Sequence, residues 1–246
     1  MKIVSMKEII TAQRNFFKTH ATKNIHFRRK QLKTLQQGLQ QNEDLLHQAI
    51  YKDFKKSEFD NYTTELSLLY KDIKEARSNI FKWARTKPVS TSILNFPASS
   101  YIIPEPLGVC LVIGAWNYPY QLSFAPVIAA IAAGNTVILK PSELPSNTAA
   151  AMAKIVKENF DPAFFTVIEG GVEETQELLK QNFDKIFFTG STKVGKIVYK
   201  AAAENLTPVT LELGGKSPAI ITENCNLKVS VKRLVWGKFL NAGQTC

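Results

Sequence analysis

The chain has few cysteines and few histidines, three of each in 246 residues. Cys110, Cys225 and Cys246 form neither a dense nor a paired framework, which excludes the disulfide-stapled scaffolds of small secreted proteins. Cysteine and histidine are nowhere placed at the spacing of metal ligands, so we predict no metal site. These absences favour a reducing, cytoplasmic setting.

Long uninterrupted apolar runs are also missing. The longest apolar stretch lies between Leu122 and Leu139, and Pro126, Gly134 and Asn135 interrupt it. A buried helix followed by a strand fits this stretch better than a membrane span, which needs about 20 apolar residues. The amino-terminal stretch holds no apolar core of signal-peptide length. We therefore predict no membrane segment in this part of the protein.

Acidic residues are scarce at the amino-terminal end. Residues 1–87 hold 18 Lys/Arg and 9 Asp/Glu, whereas the remainder holds 13 and 12, so most of the net charge of +10 belongs to the first segment. Such an excess is able to attract nucleic acid or anionic lipid. Because basic and acidic residues are interspersed there, a solvated helix face is the favoured interpretation, and no nucleic-acid partner is predicted.

Residues 1–87 are predicted to be helical. Apolar residues recur at alternating steps of three and four, which makes one apolar stripe with charges opposite it. The stripe consists of Leu66, Leu69, Ile73, Ala76, Ile80 and Trp83. A weaker stripe consists of Phe27, Leu32, Leu35 and Leu39.

Prolines interrupt this pattern in residues 88–106. Pro88, Pro97, Pro104 and Pro106 remove backbone donors and are typical of edges and turns. We predict an extended connector or oligomerisation arm, in the form of a hairpin or a single extended segment.

From Gly108 onward, short apolar strands alternate with helices. The predicted strands are Val109–Ile113, Thr136–Lys140, Phe165–Ile168, Lys185–Thr189 and Val209–Leu213. The predicted helices are Ser123–Ala133, Thr148–Glu158 with Ser146 or Asn147 as its cap, Glu173–Lys180 and Val194–Glu204. This alternation predicts the α/β class, with a Rossmann-like parallel sheet covered by helices on both faces. In such sheets ligands bind beyond the carboxyl ends of the strands.

The last segment is predicted to contain a strand at Ala219–Ile221 and a helix at about Lys228–Leu240. The expected organisation is a helical part of a cofactor domain (1–87), the connector or arm (88–106), a dinucleotide-binding domain (107–213) and the beginning of a second, catalytic α/β domain (214–246).

A glycine-containing turn is the first candidate for a cofactor site. Phe188–Gly195 follows a predicted strand and opens a helix. Its glycines allow close backbone approach to a ligand, and the free amides of a helix start favour phosphate. The spacing is not the usual Gly-x-Gly-x-x-Gly, and a purely structural turn explains it equally well.

Polar residues at three other predicted strand ends are further candidates. Lys140-Pro141-Ser142-Glu143 offers a cation and a carboxylate for ribose hydroxyls, with a surface turn as the alternative. Asn117 offers an amide donor for a developing oxyanion, although a lone asparagine more often satisfies turn backbone. Glu212, flanked by leucines on a strand predicted to be buried, is a candidate general base or one partner of a buried ion pair.

Cysteine is a strong nucleophile when its thiolate is favoured. Cys246, in Gly243-Gln244-Thr245-Cys246, is the candidate for this chemistry. Cys110 lies inside a predicted strand and is expected to be a small buried hydrophobe. Cys225 is expected in a loop or cap region.

These segments together resemble the aldehyde dehydrogenase family, over essentially the whole chain. The order and separation of the following strings are similar to that family: Pro-Leu-Gly-Val, Trp-Asn-Tyr-Pro, Ala-Ala-Gly-Asn-Thr-Val, Lys-Pro-Ser-Glu, Phe-Thr-Gly-Ser-Thr, Thr-Leu-Glu-Leu-Gly-Gly-Lys-Ser-Pro and Gly-Gln-Thr-Cys. Pro208-Val-Thr-Leu-Glu and Trp236-Gly-Lys-Phe resemble its class 3 branch, which oxidises fatty and aromatic aldehydes.

The resemblance implies a covalent mechanism for oxidising an aldehyde to a carboxylic acid. The Cys246 thiolate adds to the aldehyde, and the oxyanion is held by the Asn117 amide and the cysteine's own N–H. Hydride transfer to NAD(P)+ leaves a thioester, and Glu212 activates the water that hydrolyses it. The covalent intermediate divides one difficult reaction into two easier steps.

The resemblance also implies which residues hold the cofactor. They are Trp116, Lys140, Glu143, Gly190, Ser191, Val194, Gly195 and Leu213. A carboxylate at the ribose favours NAD+ over NADP+, although class 3 members accept both. The implied partners are a small aldehyde and, for the intact protein, a second copy of itself in a homodimer.

The resemblance covers the first half of the family's length and ends at Cys246. The segment that grips the nicotinamide ribose and the strand that completes the dimer lie beyond this point in the family. We therefore expect the 246-residue chain to be a fragment without appreciable dehydrogenase activity by itself. A non-catalytic nucleotide-binding module and an anion- or lipid-binding helical protein stay open as alternatives.

Overall fold

The structure is a computed structural model, and it describes residues 5–246. Its first part is helical, as predicted. The elements are α1 (Met6–Lys18), α2 (Ile25–Gln41), α3 (Glu43–Phe54), α4 (Glu58–Asn61) and α5 (Ser67–Trp83), with a π-helical turn (Tyr62–Leu66) between α4 and α5. The prediction of helix for residues 1–87 also covers residues 1–4, which lie outside the described residues.

The two predicted apolar stripes form much of the core. Leu66, Leu69, Ile73, Ala76 and Ile80 are all buried, and so are Leu32, Leu35 and Leu39. Phe27 packs against this core while remaining half-buried. Trp83 was expected to continue the stripe, but 47% of it is exposed. It is the last residue of α5, where no further turn of helix covers it.

Residues 87–102 contain an antiparallel hairpin. Strand β1 (Lys87–Val89) pairs with β2 (Ser100–Ile102), and the register joins Pro88 to Tyr101. Ile93, Leu94 and Phe96 between the strands are largely exposed. The proline-rich stretch is thus a hairpin with an apolar, uncovered tip.

A parallel sheet follows, and its helices lie close to their predicted positions. The strands are β3 (Val109–Ile113), β4 (Thr136–Lys140), β5 (Phe165–Val167), β6 (Lys185–Gly190) and β7 (Val209–Leu213), in the order β5-β4-β3-β6-β7. The helices are α6 (Pro119–Ala133), α7 (Ser146–Asn159), α8 (Val172–Leu179) and α9 (Thr192–Ala203). The prediction of a Rossmann-like parallel sheet is confirmed.

Successive residues of β3 face opposite sides of the sheet, because side chains alternate along a strand. Val112 packs into one buried cluster with α2, α3, α5, α6 and α7. Leu111 and Ile113 pack into a second cluster with α8, α9 and Ile10 of α1. Both faces of the sheet are therefore covered, as the near-continuous apolar strands indicated.

The predicted cap of α7 is wrong. The helix begins at Ser146, and neither Ser146 nor Asn147 makes a capping side-chain bond to the first turn. The Asp53 carboxylate of α3 does this instead, accepting from the backbone N–H of Asn147 at 3.3 Å and of Thr148 at 2.8 Å. A carboxylate from a distant helix satisfies the free amides, so local sequence gave no signal of it.

The predicted strand at Ala219–Ile221 is also wrong. These residues have no regular secondary structure, and no strand among residues 5–246 pairs with them. A strand requires a neighbour for its backbone groups, and apolar composition alone does not provide one. The following helix, α10 (Leu227–Phe239), is present but has no buried residue.

Candidate active site

The carboxyl ends of four strands border one cleft of about 1830 Å³. Ile113 of β3 is in register with Lys140 of β4 and Phe188 of β6, and Gly190 of β6 with Leu213 of β7. Parallel pairing therefore brings the predicted motifs to one edge. Ten predicted site residues line the cleft: Trp116, Asn117, Lys140, Glu143, Gly190, Ser191, Val194, Glu212, Leu213 and Cys246.

Gly195, the remaining predicted site residue, does not line the cleft. It is buried in α9, and a Cβ on it would lie 2.9 Å from Cδ2 of Leu213. The missing side chain lets α9 pack closely on β7. This is a packing role, and it holds the start of α9 near the ends of β6 and β7.

The start of α9 faces the cleft with a capped first turn. The Ser191 hydroxyl accepts a hydrogen bond from the backbone N–H of Val194 at 3.3 Å. The other first-turn amides have no acceptor within the helix, which makes a helix start favourable for anions. Thr189, just before this turn, has a buried hydroxyl without a partner among the described residues.

Asn117 contacts the backbone directly before Cys246. Its side-chain amide donates to the carbonyl oxygens of Gln244 at 3.0 Å and Thr245 at 2.8 Å. The Asn241 amide donates in turn to the Asn117 carbonyl at 2.9 Å. Asn117 is thereby held against the two residues that precede Cys246, which lies far from it in the sequence.

The carbonyl of Cys246 connects this segment to the loop after β7. It accepts from the Gly215 backbone N–H at 3.1 Å, and a Cβ on Gly214 would approach the same oxygen to 2.9 Å. Cys246 is exposed, whereas Cys110 is buried and Cys225 is intermediate. Burial raises the pKa of the Cys110 thiol to about 12. Among the three cysteines, Cys110 is thus the poorest nucleophile.

Glu212 was expected on a buried strand, and this is wrong. Strand β7 is the edge strand of the sheet, and Glu212 is exposed. The burial of Glu212 that its leucine neighbours predict is therefore absent from this structure. Glu212 still lines the cleft, with its carboxylate open to the space that Asn117 and Cys246 also face.

Lys140 is the buried cation of the cleft. Only 1% of the residue is exposed, and its ammonium donates to the Pro141 carbonyl at 2.7 Å. Burial lowers the pKa of Lys140, and the negative charges of Glu143 and Glu174 oppose that shift. A buried ammonium with a single carbonyl partner retains donors for another oxygen atom.

One buried carboxylate near the cleft was missed at the sequence level. Glu65 is fully buried and pairs with Lys56 at 2.7 Å. Glu65 stands four residues before Leu69 and eight before Ile73, so helical spacing places it on the apolar stripe. A carboxylate at such a position was the available signal.

The apolar wall of the cleft was also missed, since it joins residues from separate helices. It includes Phe59, Leu68, Leu122, Ala125, Trp236 and Leu240. Apolar residues at helical spacing are common in any core, so sequence spacing alone does not distinguish the wall of a cleft from core packing.

The described part of the chain contains neither a metal cluster nor a spanning helix. Within residues 5–246, no group of three or more histidine, cysteine, aspartate or glutamate side chains is arranged to hold a metal ion. None of the helices described combines the length and apolar character needed to cross a membrane.

Comparison with known proteins places these motifs in one family. Residues 4–246 match the model of the aldehyde dehydrogenase family. The 4,4'-diaponeurosporen-aldehyde dehydrogenase of Staphylococcus aureus is 52% identical over 231 residues, which is 94% of this chain and 50% of the relative. Aldehyde dehydrogenase family 3 member A2 of Pongo abelii is 49% identical over 95% of this chain and 48% of its own length.

Solved structures agree with the sequence comparison. The substrate-bound AldH of Staphylococcus aureus superposes with a TM-score of 0.96 and 49% identity, over 98% of this chain and 53% of that one. The NAD+ complex of an aldehyde dehydrogenase from Bacillus cereus has a TM-score of 0.84 and 27% identity, over 98% and 50%. The chain spans about half the length of the relatives it matches. It belongs to the aldehyde dehydrogenase family.

Proposed function

We propose that this protein contributes the cofactor-binding part and the nucleophile of an enzyme that oxidises an aldehyde to a carboxylic acid with NAD(P)+. The observation that carries the proposal is the pair of hydrogen bonds from Asn117 to the backbone beside Cys246. They bring an amide donor and a thiol to the same cleft as Glu212 and Lys140.

In the proposed reaction the Cys246 thiolate forms a bond to the aldehyde carbon, and the carbonyl electron pair moves to the oxygen. Asn117 donates to this oxyanion, a contribution typically worth about 10²–10³ in rate. NAD(P)+, when bound in the cleft, would supply the hydride acceptor, and loss of hydride from the carbon held on Cys246 leaves a thioester. The two bonds place the Asn117 amide beside Cys246, and in the reaction one of its N–H groups would exchange a backbone carbonyl for the oxyanion.

Hydrolysis of the thioester is assigned to Glu212 as general base. Its carboxylate would remove a proton from water, which then attacks the thioester carbon and releases the acid and the thiol. The exposure of Glu212 supports access of water to it. Its position in the cleft supports action on the same carbonyl as Cys246 and Asn117.

The residues around the cleft fit a dinucleotide. Its volume exceeds the roughly 300–1,000 Å³ of an ordinary ligand pocket, which leaves room for cofactor and substrate together. Ser191 and the free amides of α9 suit a pyrophosphate, and the unpartnered Thr189 hydroxyl would gain a partner. Lys140 and Glu143 suit the adenosine ribose, and Trp116 and Leu213 line the same cleft.

NAD+ is the proposed cofactor, with NADP+ as a second substrate of the same site. Glu143 is exposed at the cleft, where its carboxylate would repel a 2′-phosphate. A class 3 relative from Rattus norvegicus, 43% identical over 98% of this chain, is named as a dimeric NADP-preferring aldehyde dehydrogenase. Titration with each cofactor would show which of the two binds more tightly.

Fatty and aromatic aldehydes are the proposed substrate class. The cleft wall of Phe59, Leu68, Leu122, Ala125, Trp236 and Leu240 is apolar, and it lies beside Asn117 and Cys246. Hexanal and benzaldehyde would test the proposal, with NADH formation followed by absorbance. A form of the protein extended to the length of its relatives is expected to turn over both.

The 246-residue chain is expected to bind cofactor without appreciable turnover. It contains the predicted cofactor residues, but its relatives are about twice as long. If both the 246-residue chain and the extended form bind cofactor but neither oxidises aldehyde, the second candidate is favoured, which is a non-catalytic nucleotide-binding module. Robust turnover by the 246-residue chain alone would contradict the expectation that it is an inactive fragment.

We also propose that the intact protein is a cytoplasmic homodimer with the domain division expected from the sequence. The exposed tip of the hairpin, with Ile93, Leu94 and Phe96, supports a role of residues 88–106 as an oligomerisation arm. Light scattering on the extended form would give its mass, and replacement of Leu94 by Asp is expected to favour the monomer.

A further inference from the structure

Beneath the Asn117 loop lies a buried ion pair that the proposed mechanism does not use. Lys56 and Glu65 meet at 2.7 Å, with side-chain exposures of 7% and 0%. Glu65 stands in the π-helical turn between α4 and α5. Such turns interrupt regular helix geometry and often coincide with functional positions.

Both oxygens of the Glu65 carboxylate are occupied. Oε1 accepts from Lys56, while Oε2 accepts from the backbone N–H of Tyr120 at 2.7 Å and of Gln121 at 3.2 Å. Tyr120 and Gln121 belong to the first turn of α6, directly after the Trp116–Pro119 segment. The carboxylate therefore caps α6 from outside and fixes where this helix begins.

Lys56 contacts the same segment from the other side. Its ammonium lies 4.6 Å from the centroid of the Tyr118 ring. The Tyr118 hydroxyl is 3.2 Å from the Thr245 hydroxyl, next to Cys246. The two members of the pair thus hold residues 118 and 120, in the backbone that directly follows Asn117.

Stability alone does not account for this pair. Removing two charges from water is costly, and well-packed apolar residues in place of a buried pair are often as stable or more stable. Burial raises the pKa of Glu65, against the opposing effects of Lys56 and the two amides. We therefore explain the Lys56–Glu65 pair by the groups that it orients, and not by a contribution to the free energy of unfolding.

We propose that Lys56 and Glu65 are positioning residues, which hold the Asn117 amide at the backbone directly before Cys246 through the start of α6 and the Tyr118 ring. The catalytic meaning of this position rests on the proposed function. The positioning itself does not, because it concerns contacts within the 246-residue chain.

The primary test is the NMR signal of the Asn117 side-chain amide in the 246-residue chain, assigned by its loss in Asn117→Asp. In Glu65→Gln the new amide has one acceptor and one donor, so a donor must face either Lys56 or the α6 amides. The Asn117 signal is expected to shift or broaden. Glu65→Asp keeps the charge but is too short for both partners, and the same change is expected.

A matched control is available at the opposite end of the sheet. Asp184 also pairs with a cation, Arg14, and also accepts from a backbone N–H, that of Val109. Asn135 accepts from the neighbouring Gly108 N–H. Asp184→Asn is therefore expected to move the Asn135 signal and leave Asn117 unchanged, whereas Glu65→Gln is expected to do the reverse.

Two results would overturn the proposal: an unmoved Asn117 signal in folded Glu65→Gln or Glu65→Asp, or equal movement of Asn117 and Asn135 in these variants. In an extended form that oxidises aldehydes, Glu65→Gln is expected to lower kcat about ten- to hundredfold with the KM for NAD+ unchanged. That loss should largely disappear in an Asn117→Ala background. Absence of turnover in the unaltered extended form would refute the proposed function while leaving the NMR result valid.

Discussion

The two ends of strand β3 carry similar polar groups in opposite circumstances. At the amino end, the Val109 N–H donates to Asp184, and the Gly108 N–H donates to Asn135. At the carboxyl end, the sheet opens onto the cleft, and the Asn117 side chain donates to the backbone of a distant segment. At the amino end the polar groups are paired inside the protein, and at the carboxyl end they line a cleft that is open to a ligand.

This difference follows from the parallel sheet. All strands of such a sheet point the same way. The loops that follow the strands therefore lie together at the carboxyl end of the sheet, here called the open edge, and ligands bind there. The loops that lead into the strands lie at the amino end of the sheet, here called the closed edge. Its buried backbone groups need hydrogen-bond partners within the protein. Changes at the closed edge are therefore expected to act on stability, and changes at the open edge on ligand binding and rate.

The largest expected effect is at the open edge. In an extended, active form, Asn117→Ala removes the proposed oxyanion donor, and kcat should fall by about 10²–10³. The melting temperature should change little, because the hydrogen bonds that are lost are at the surface of the cleft. Steady-state kinetics and thermal unfolding of the same preparations would measure both; a kcat within twofold of the unaltered enzyme would exclude the role.

At the closed edge, Asp184→Asn should reverse this pattern. The variant loses the charge that pairs with Arg14 and weakens the acceptor of the Val109 N–H, at an expected cost of about 1–3 kcal/mol in the free energy of unfolding. Urea unfolding would measure the loss, and fluorescence titration should give an unchanged affinity for NADH. A weakened affinity for NADH with an unchanged free energy of unfolding would contradict the expected difference between the two ends of the sheet.

The same distinction explains how much was accessible from sequence. The strands β3, β4 and β7 were predicted to the residue, because near-continuous apolar runs between helices have few other solutions. The edge at which the motifs meet also follows from parallel pairing.

Contacts between distant elements were not accessible. The Asp53 cap of α7, the Lys56–Glu65 pair and the exposure of Glu212 each depend on which element lies beside which. Glu212 shows the difficulty most clearly. Its apolar neighbours are equally compatible with a central strand and with the edge position that β7 occupies.

A smaller effect is expected at Lys140, which is buried although it belongs to the open edge. Lys140→Met should weaken NADH binding about tenfold, the loss of roughly one charge-assisted hydrogen bond. Because burial lowers the pKa of Lys140, the charged form is disfavoured in the fold, and the free energy of unfolding should not fall. Exposed Lys200→Met on α9 is the control, and equal weakening by both variants would remove Lys140 from the site.

The smallest expected effect belongs to Glu174, a residue of the open edge with a structural contact. Hydrogen bonds from its own backbone N–H and that of Gly171, the latter at 2.6 Å, hold the pKa of Glu174 below 4.5. A carboxyl with a depressed pKa in the folded state contributes stability above its unfolded value, and that contribution is lost as the pH falls through the folded pKa.

Glu174→Gln should therefore unfold more easily than the unaltered chain at neutral pH, with the difference vanishing in acid. Urea unfolding at a series of pH values would measure it. Glu173→Gln removes the same charge from the same helical turn without touching Gly171, so its difference from the unaltered chain should depend less on pH. If both variants show the same pH profile of unfolding, the effect on stability comes from a negative charge near the start of a helix. The hydrogen bond between Glu174 and Gly171 would then make no separate contribution.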